Sequence, residues 1–213
     1  MEHSFMVDVK VNPQPLWPTM VYSFESLKSV LQEHEKMIVD IRDDFKVTNK
    51  GNTFGLFQGR DDLQNLPSFK EFSTFIGQLS AKIFVEEGYE NQKIQITNMW
   101  ANKQGDGSIH PPHSHANSLL SGVYYIKATD KSSGTQFFDP RAQAKTFKPR
   151  REKWTINNSS MYEISAITGT GVIFPSWLLH WTPPNTNERI SISWNILVRG
   201  DYGEPGTFQN ANI

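Results

Sequence analysis

Apolar residues in the first third of the chain recur at intervals of three and four positions, which is the period of an amphipathic helix. One such stripe runs through residues 24–45 and a second through residues 68–89, where Pro67 supplies a start signal. We therefore predict two helices, separated by a polar connection that could hold a short strand. The stripe positions are Leu27, Val30, Leu31 and His34 in the first helix, and Phe72, Phe75, Ile76, Leu79 and Ile83 in the second.

From residue 92 onward the period shortens to two, and clusters of Gly, Pro, Asn and Asp separate the apolar segments. These segments are typical of short β-strands. The stretch KATDKSSGTQ, residues 127–136, is typical of a hairpin connection between two of them. The six predicted strands cover residues 93–102, 119–127, 135–139, 162–168, 171–177 and 189–198.

Helices followed by a run of short strands indicate an α+β chain with a mainly β core. We predict that the strands close into a barrel or jelly roll, with the N-terminal helices packed outside it. No stretch in the middle has the composition of a linker, so residues 1–213 are predicted to form a single domain. Within it, residues 1–91 form a mainly helical part and residues 92–213 the β core.

Composition narrows the function classes. The formal net charge of −1 provides no general field for nucleic acid, which we therefore do not expect as a partner. The absence of cysteine excludes disulfides and thiolate metal sites and fits a reducing, cytoplasmic location. The first residues lack the pattern of a signal peptide, and no apolar run approaches the roughly 18 to 20 residues of a membrane span. We expect no membrane association.

The stretch SIHPPHSHANSLLSGVYYI, residues 108–126, holds three of the chain's six histidines: His110, His113 and His115. Residues two apart point to the same side of a strand, so His113 and His115 would face one space. Neutral imidazole is a good ligand for zinc, copper, nickel and iron. The pair alone is a weak signal, because short tracts with two histidines are frequent and usually solvated.

A second segment, residues 169–195, changes the interpretation of the pair. A Gly-x-Gly turn leads into an apolar strand that ends near His180, and Arg189 opens another strand, followed by Ser191. A single histidine on an apolar face is more often a core residue than a ligand, and a single arginine is usually on the surface. The order of His-x-His, distal His and Arg-x-Ser is what favours a metal site beside an anion anchor.

These motifs resemble the Fe(II)- and 2-oxoglutarate-dependent oxygenases. More narrowly, HPPHSHANSLLSGVYYI, GTQFFDPR, GVIFPSWLLHWTPPN and ERISISWN are similar to a subfamily from bacteria and marine phages, as is the opening NPQPLWPTMVYSFE. The resemblance therefore covers nearly the whole chain, and it implies a double-stranded β-helix. It also implies oxidative decarboxylation of 2-oxoglutarate with O2, coupled to hydroxylation or a related oxidation of an unknown small molecule or protein side chain. A homo-oligomer is possible.

The resemblance assigns Fe(II) to His113, His115 and His180, with no catalytic residue beyond these ligands. Arg189 would form a two-pronged ion pair with the far carboxylate of 2-oxoglutarate, because its planar guanidinium matches a carboxylate.

Three further residues are expected in the cosubstrate site. Ser191 would add a hydroxyl hydrogen bond, and Tyr125 lies where prolyl hydroxylases place a tyrosine that touches the same carboxylate. Core packing is an equal alternative for Tyr125. In an unbroken strand Tyr124 points away from that side. Asn195 shares a face with Arg189, so we expect its amide to look into the barrel and need partners there.

His115 departs from the wider family, in which most members have Asp or Glu at this position. Three alternatives follow: a three-histidine iron site, a two-histidine site with the third position open, or a shifted site that uses His110. A histidine here is normal for the subfamily, so the three-histidine site is preferred. His110 precedes two prolines and is expected in a flanking loop.

Two other functions are consistent with the pattern. A cupin-like metal enzyme without 2-oxoglutarate would share the jelly roll and three histidines, but it needs no carboxylate anchor such as Arg189. A catalytically silent binding protein would retain the barrel alone. Trp100, Asn102, Trp177 and Trp181 are candidates for the cavity wall or for packing, and the basic run at residues 145–153 is expected to be a solvated loop.

Overall fold

The computed structural model describes residues 12–47, 54–90, 93–141 and 146–213, without the side chains of residues 46 and 47. Its helices all lie in the first part of the chain: α1 (Lys28–Ile41), α2 (Asp44–Val47) and α3 (Lys70–Glu86), with 3-10 turns at Leu63–Asn65 and Pro67–Phe69. The strands are β1 (Tyr22–Glu25), β2 (Leu56–Gln58), β3 (Lys93–Gln104), β4 (His110–His113), β5 (Leu120–Lys127), β6 (Thr135–Phe138), β7 (Met161–Ile164), β8 (Thr170–Pro175), β9 (His180–Thr182), β10 (Arg189–Arg199), β11 (Asp201–Tyr202) and β12 (Ala211–Asn212).

Two antiparallel sheets form the β core. The larger has the order β1-β8-β5-β10-β3-β2, and the smaller has the order β4-β9-β6-β7. Val123 and Tyr125 of β5 and Phe137 of β6 belong to one buried cluster, so side chains from the two sheets meet between them. This arrangement confirms the predicted α+β jelly roll with a mainly β core.

The helices pack on the outer face of the larger sheet, as predicted. Val30 and Phe72 from α1 and α3 share a buried cluster with Tyr124 and Trp194 of the sheet. The Phe72 and Trp194 rings meet edge to face with centroids 5.5 Å apart. Gly122 makes room for this contact, because a Cβ built there would lie 2.1 Å from Trp194 Cζ2.

Side chains alternate between the two faces along β10, whose first eight residues, RISISWNI, have the period of a strand. Ile192 and Trp194 are buried against the helices, whereas Ser191 and Ser193 line the space between the sheets. The predicted orientation of β5 is also confirmed, because Tyr124 joins the helix-side cluster and Tyr125 joins the inner one.

Several predicted boundaries are wrong. The first helix was expected over residues 24–45, but residues 22–25 pair with β8 as strand β1, and the helix begins at Lys28. Phe24 packs on Tyr124 there, and such a nonlocal contact is absent from local periodicity. The connection at residues 127–136 is no hairpin, because β5 and β6 lie in different sheets. It carries the chain from one sheet to the other.

The predicted division between residues 1–91 and 92–213 falls at residues 91 and 92, outside the described residues, so it stays a prediction, as does the single domain. None of the helices described is both long and apolar enough to span a membrane.

Candidate metal centre

Two of the predicted ligands face each other across a pair of strands. β4 and β9 pair antiparallel with His113 directly opposite His180, and the centroids of their rings are 4.3 Å apart. Residues directly opposite in antiparallel strands keep their Cβ atoms about 4.5–5.5 Å apart. Strand pairing therefore brings together two histidines that are distant in the sequence.

His115 joins the pair from a loop, beyond the end of β4, and not from a continuous strand as its spacing predicted. Its backbone N–H donates to Ser176 O at 2.9 Å, which fixes the loop beside β8. The His115 ring centroid is 5.2 Å from that of His113 and 5.1 Å from that of His180. One candidate ligand atom from each of the three residues lies within 4.8 Å of the other two.

The hydrogen bonds of the three rings fix which nitrogen faces the cluster. His113 Nδ1 donates to Pro111 O at 2.8 Å, and His180 Nδ1 donates to Leu178 O at 2.9 Å. Because a carbonyl oxygen only accepts, each Nδ1 carries the proton and each Nε2 keeps its lone pair.

The side chain of Asn195 accepts the corresponding hydrogen bond from the ring of His115. Its Oδ1 accepts from His115 Nδ1 at 2.5 Å and from Ser121 Oγ at 2.7 Å. The Nε2 lone pair of His115 is therefore free as well. Three neutral nitrogen donors converge on one space.

Burial keeps these imidazoles neutral. It lowers the pKa of His180 to about 3, with the neighbouring His113 adding to the effect. Burial also lowers the pKa values of His113 and His115, although hydrogen bonds to Pro111 O and Asn195 oppose the change. A histidine that resists protonation is available as a metal ligand at neutral pH.

A buried cation lies in the same cavity as the three histidines. Arg189 is 2% exposed, and its Nη1 donates to Gln104 Oε1 and, at 3.4 Å, to Thr182 Oγ1. Its Cζ lies 4.9 Å from the centroid of the Tyr125 ring. Among the described residues no carboxylate forms an ion pair with it.

The adjacent carboxylate does not neutralise Arg189. Glu188 is held by Lys103 Nζ at 2.8 Å and by Lys127 Nζ at 2.6 Å, and these contacts lower the pKa of Glu188. Arg189 Nε and Gln104 Nε2 are buried without a hydrogen-bond partner in the part of the chain that the structure describes. Burying an unpaired charge is costly, so this end of the cavity is built for an anion.

A small cavity lies between the two sheets. It joins the histidine cluster to the buried guanidinium. Its lining consists of Trp100, Asn102, His110, His113, His115, Val123, Thr135, His180, Thr182, Arg189, Ser191 and Ser193.

The other predicted residues take different places. Ser191 lines the cavity, and the Tyr125 hydroxyl is hydrogen-bonded to Thr135 Oγ1 at 2.8 Å beside the guanidinium. Asn195 contacts His115, and a direct contact with a cosubstrate stays a prediction. Trp177 is 59% exposed, and Trp181 donates to Gln136 Oε1, so neither tryptophan lines the cavity.

Two strand residues, Trp100 and Asn102, do line it. The Trp100 ring centroid is 5.7 Å from that of His115, and its buried Nε1–H has no partner among the described groups. Asn102 is held by Gln58 and by Ser193, so its amide is satisfied.

His110 was expected in a flanking loop, and that prediction is wrong. It lies in β4, lines the cavity and stacks on His113 with ring centroids 4.1 Å apart. Burial lowers its pKa to about 3, assisted by His113, His180 and Arg189. Gln104 and Thr182, the partners of Arg189, were also missed, because isolated polar residues at strand ends give no local signal.

The donor set fits a divalent metal ion with an anionic ligand beside it. Metal–imidazole distances near 2.1 Å place ligand nitrogens about 3 Å from one another, and the candidate ligand atoms already lie within 4.8 Å of one another. The charge of Arg189, which has no ion pair among the described residues, has the sign needed to neutralise such an anion.

Comparison with known proteins agrees with this chemistry. Residues 98–195, which include all three histidines of the cluster and Arg189, match a protein-family model described as "Putative 2OG-Fe(II) oxygenase". No curated protein sequence matches the chain significantly.

Several solved structures share the fold. A prolyl-4-hydroxylase from Pseudomonas putida is 14% identical with a TM-score of 0.58, over 83% of this chain and 92% of that one. HygX from Streptomyces hygroscopicus, solved with nickel, 2-oxoglutarate and hygromycin B, is 10% identical with a TM-score of 0.58, over 84% and 82%. The viral collagen prolyl hydroxylase of Paramecium bursaria Chlorella virus-1, a 2-oxoglutarate complex, is 15% identical with a TM-score of 0.53, over 83% and 94%.

Proposed function

We propose that the chain is an Fe(II)- and 2-oxoglutarate-dependent oxygenase, as the family model that matches residues 98–195 indicates, and that His113, His115 and His180 are its iron ligands. Arg189 is the anchor of the cosubstrate in this proposal. Together they make the cavity between the sheets the active site, with no catalytic residue beyond the three ligands.

The enzyme takes Fe(II), 2-oxoglutarate and O2. Iron and cosubstrate, when bound, supply an oxidation in which 2-oxoglutarate loses CO2 to become succinate and one oxygen atom is available to hydroxylate or otherwise oxidise the substrate. The residues of the chain bind and orient these groups.

The tautomers of the three rings support the iron assignment. Each Nδ1 holds its proton in a hydrogen bond to an oxygen, so the Nε2 atoms of His113, His115 and His180 are the ones that bind. Such outer hydrogen bonds orient metal-binding histidines and raise their basicity. They favour the three-histidine site over one in which the third position is open.

Buried Arg189, without a carboxylate partner in the described chain, is the observation that carries the cosubstrate assignment. A cupin-like enzyme without 2-oxoglutarate would bury this charge for no purpose. A dicarboxylate that reaches from the cluster to Arg189 satisfies both ends of the cavity, and its far carboxylate meets the guanidinium fork in two hydrogen bonds.

Ser191 and Tyr125 support the anchor in this proposal. Ser191 lines the cavity on the same strand face as Arg189 and offers a hydroxyl to the carboxylate. Tyr125 positions the guanidinium through its ring face. Asn195 acts through His115, whose proton it accepts.

The substrate in this proposal is a small molecule or a protein side chain. The absence of cysteine supports a reducing, cytoplasmic compartment, which fractionation of the native cells would test. Membership in a subfamily from bacteria and marine phages is supported by the motifs around His113 and His180.

An anaerobic titration tests the proposal. Iron-loaded protein is titrated with 2-oxoglutarate, and the visible charge-transfer band gives its Kd for wild type, Arg189→Ala, Arg189→Lys and His180→Ala. Loss of one partner of a buried charge pair costs about 2–5 kcal/mol. We expect Arg189→Ala to bind 2-oxoglutarate about 30-fold or more weakly, since about 1.4 kcal/mol is tenfold in affinity. Arg189→Lys should recover part of the loss.

Iron content separates the two assignments. Both Arg189 variants should bind iron like wild type, whereas His180→Ala should lose it, because two remaining ligands hold a divalent ion poorly. Wild-type affinity for 2-oxoglutarate in Arg189→Ala would contradict the anchor and favour the cupin-like alternative. Full iron occupancy in His180→Ala would contradict the metal site.

A further inference from the structure

A second, larger cavity lies outside the candidate active site. It is an open groove lined by residues of the segments 139–141 and 147–160, which lie between β6 and β7 in the chain, and we call it the basic groove. Its lining includes the acidic residues Asp139 and Glu152 against five basic ones, although the chain as a whole carries a net charge of −1. The basic residues are Arg141, Lys148, Arg150, Arg151 and Lys153.

Only part of this charge is neutralised locally. Arg141 donates to Asp139 through Nε and Nη2, and Arg151 stacks over the Trp154 ring at 4.3 Å. Lys148, Arg150 and Lys153 are exposed and have no ion pair within the described ranges. Three free cations on one groove form a local positive field in a chain without a general one.

Strand β6 runs from the anchor past the three histidines to the basic groove, so it gives the position of the groove relative to them. At its first residue, Thr135 is bonded to Tyr125 beside the guanidinium of Arg189. Two residues on, the Phe137 ring lies 6.0 Å from His180, and Asp139 already lines the groove. At about 3.3 Å per residue, the groove therefore begins roughly 7 Å beyond the level of the cluster, on the side away from the anchor.

We propose that the basic groove binds an acidic, extended peptide segment that presents its substrate residue to the cluster. This inference rests on the proposed function and names its substrate class. Along β6 the proposed cosubstrate site lies on the Arg189 side of the histidines and the groove lies on the other side, so we place the substrate on the groove side.

An open sheet edge favours a peptide as the occupant. β7 follows the groove residue Ser160 directly and is the edge of the smaller sheet, with no strand on its outer side among the described residues. Such an edge accepts an extended peptide by strand addition. Arg151 covers only one face of the exposed Trp154 ring, so nucleic acid is the alternative occupant, and the oligothymidine probe below tests it.

Fluorescence anisotropy on the iron-loaded full chain tests the proposal. The probe is a labelled twelve-residue peptide of alternating Glu and Ser, compared with its Lys and Ser counterpart and with a twelve-nucleotide oligothymidine. The groove variant is Lys148→Glu with Arg150→Glu and Lys153→Glu. The control is Lys28→Glu with Lys70→Glu and Lys131→Glu, which are exposed lysines with the same change in net charge.

We expect the acidic peptide to bind wild type, with affinity reduced about tenfold or more in the groove variant and less than about twofold in the control. Bound peptide should also alter the charge-transfer band of the 2-oxoglutarate complex in wild type. The proposal is overturned if the peptide fails to bind, if both variants weaken it equally, if oligothymidine binds the groove more tightly, or if the band does not change.

The 2-oxoglutarate titration on the same samples separates the two hypotheses. A normal charge-transfer band with no binding of the acidic peptide rejects the groove and leaves the oxygenase site intact. Absence of the band in wild type rejects the proposed active site, whatever the peptide does.

Discussion

The two faces of β10 share one backbone and carry opposite chemistry. Toward the helices the strand presents Ile192 and Trp194, both fully buried among apolar and aromatic side chains. Toward the smaller sheet it presents Arg189, Ser191 and Ser193, which are equally buried but line a polar cavity. Burial is therefore the same on both faces, and only its energetic consequence differs.

The two faces of β10 therefore have different roles: the helix side stabilises the fold, and the cavity side holds the polar groups of the candidate site. On the helix side burial removes apolar surface from water, which stabilises the fold. On the cavity side the buried guanidinium and its unpaired Nε lower the stability of the unliganded protein. The helix-side packing holds the strand in place, so the cavity side is free to keep groups that are satisfied only by a ligand.

Among the variants that test this comparison, Trp194→Ala should cause the largest loss in the free energy of unfolding. Removing a fully buried tryptophan from a packed core costs about 3–5 kcal/mol. Its neighbour Ser193 accepts a single hydrogen bond from Asn102, so Ser193→Ala should cost about 0.5–1.5 kcal/mol. Urea unfolding of the two variants measures both. If Ser193→Ala proves the more destabilising, the helix side does not carry the stability of the strand.

Asn195→Leu should act on iron with an intermediate effect. Leucine cannot accept the His115 Nδ1 proton, so the ring loses its orientation, and iron affinity should fall about 10–100-fold. Asn195→Asp retains the acceptor atoms and should bind iron at least nearly as well as wild type. Both are measured by titration with Fe(II) under nitrogen.

The two Asn195 variants also test the direct contact with 2-oxoglutarate that the sequence predicts for Asn195. If Asn195→Leu binds iron normally but 2-oxoglutarate weakly, the amide contacts the cosubstrate directly. That result would contradict its assignment as a residue that positions His115.

The alternation of β10 and β5 was predictable because the period of two is a local property of the sequence. It placed Tyr124 on the helix side and Tyr125 on the inner side, as the structure confirms. The motifs also singled out the three histidines that the structure brings together. The prediction that His113 and His115 lie on one continuous strand was wrong. β4 ends at His113, and His115 reaches the other two histidines from the following loop.

Nonlocal pairing accounts for what was missed. β4 has the sequence HPPH. Pro111 and Pro112 have no backbone N–H to donate to a neighbouring strand, so the sequence indicates a loop here. The structure tolerates them because β4 is an edge strand. The turn at residues 127–136 was recognised, but turn chemistry does not specify which sheet the next strand joins.

His34→Gln should give the smallest effect and distinguishes the helix side from the cavity by its pH dependence. On the helix side, His34 Nε2 is hydrogen-bonded to Tyr124 Oη at 2.7 Å, and Tyr124 donates to Ser26 Oγ at 2.8 Å. Burial lowers the pKa of His34 and raises that of Tyr124 to about 12, so the tyrosine stays protonated.

The folded-state pKa of His34 lies below its ordinary value of 6.5, so on acidification the unfolded chain takes up this proton first. The stability that neutral His34 contributes is therefore fully present above about pH 6.5 and declines as the pH falls toward the folded value. Glutamine can still donate to Tyr124 but does not titrate. We expect His34→Gln to cost no more than about 0.5–1.5 kcal/mol at pH 8 and to lose this disadvantage below pH 6.5. The cavity histidines titrate in both proteins, so their contribution cancels in the difference between the two urea-unfolding free energies. A difference that is constant with pH, or that grows on acidification, would show that His34 does not resist protonation in the folded protein.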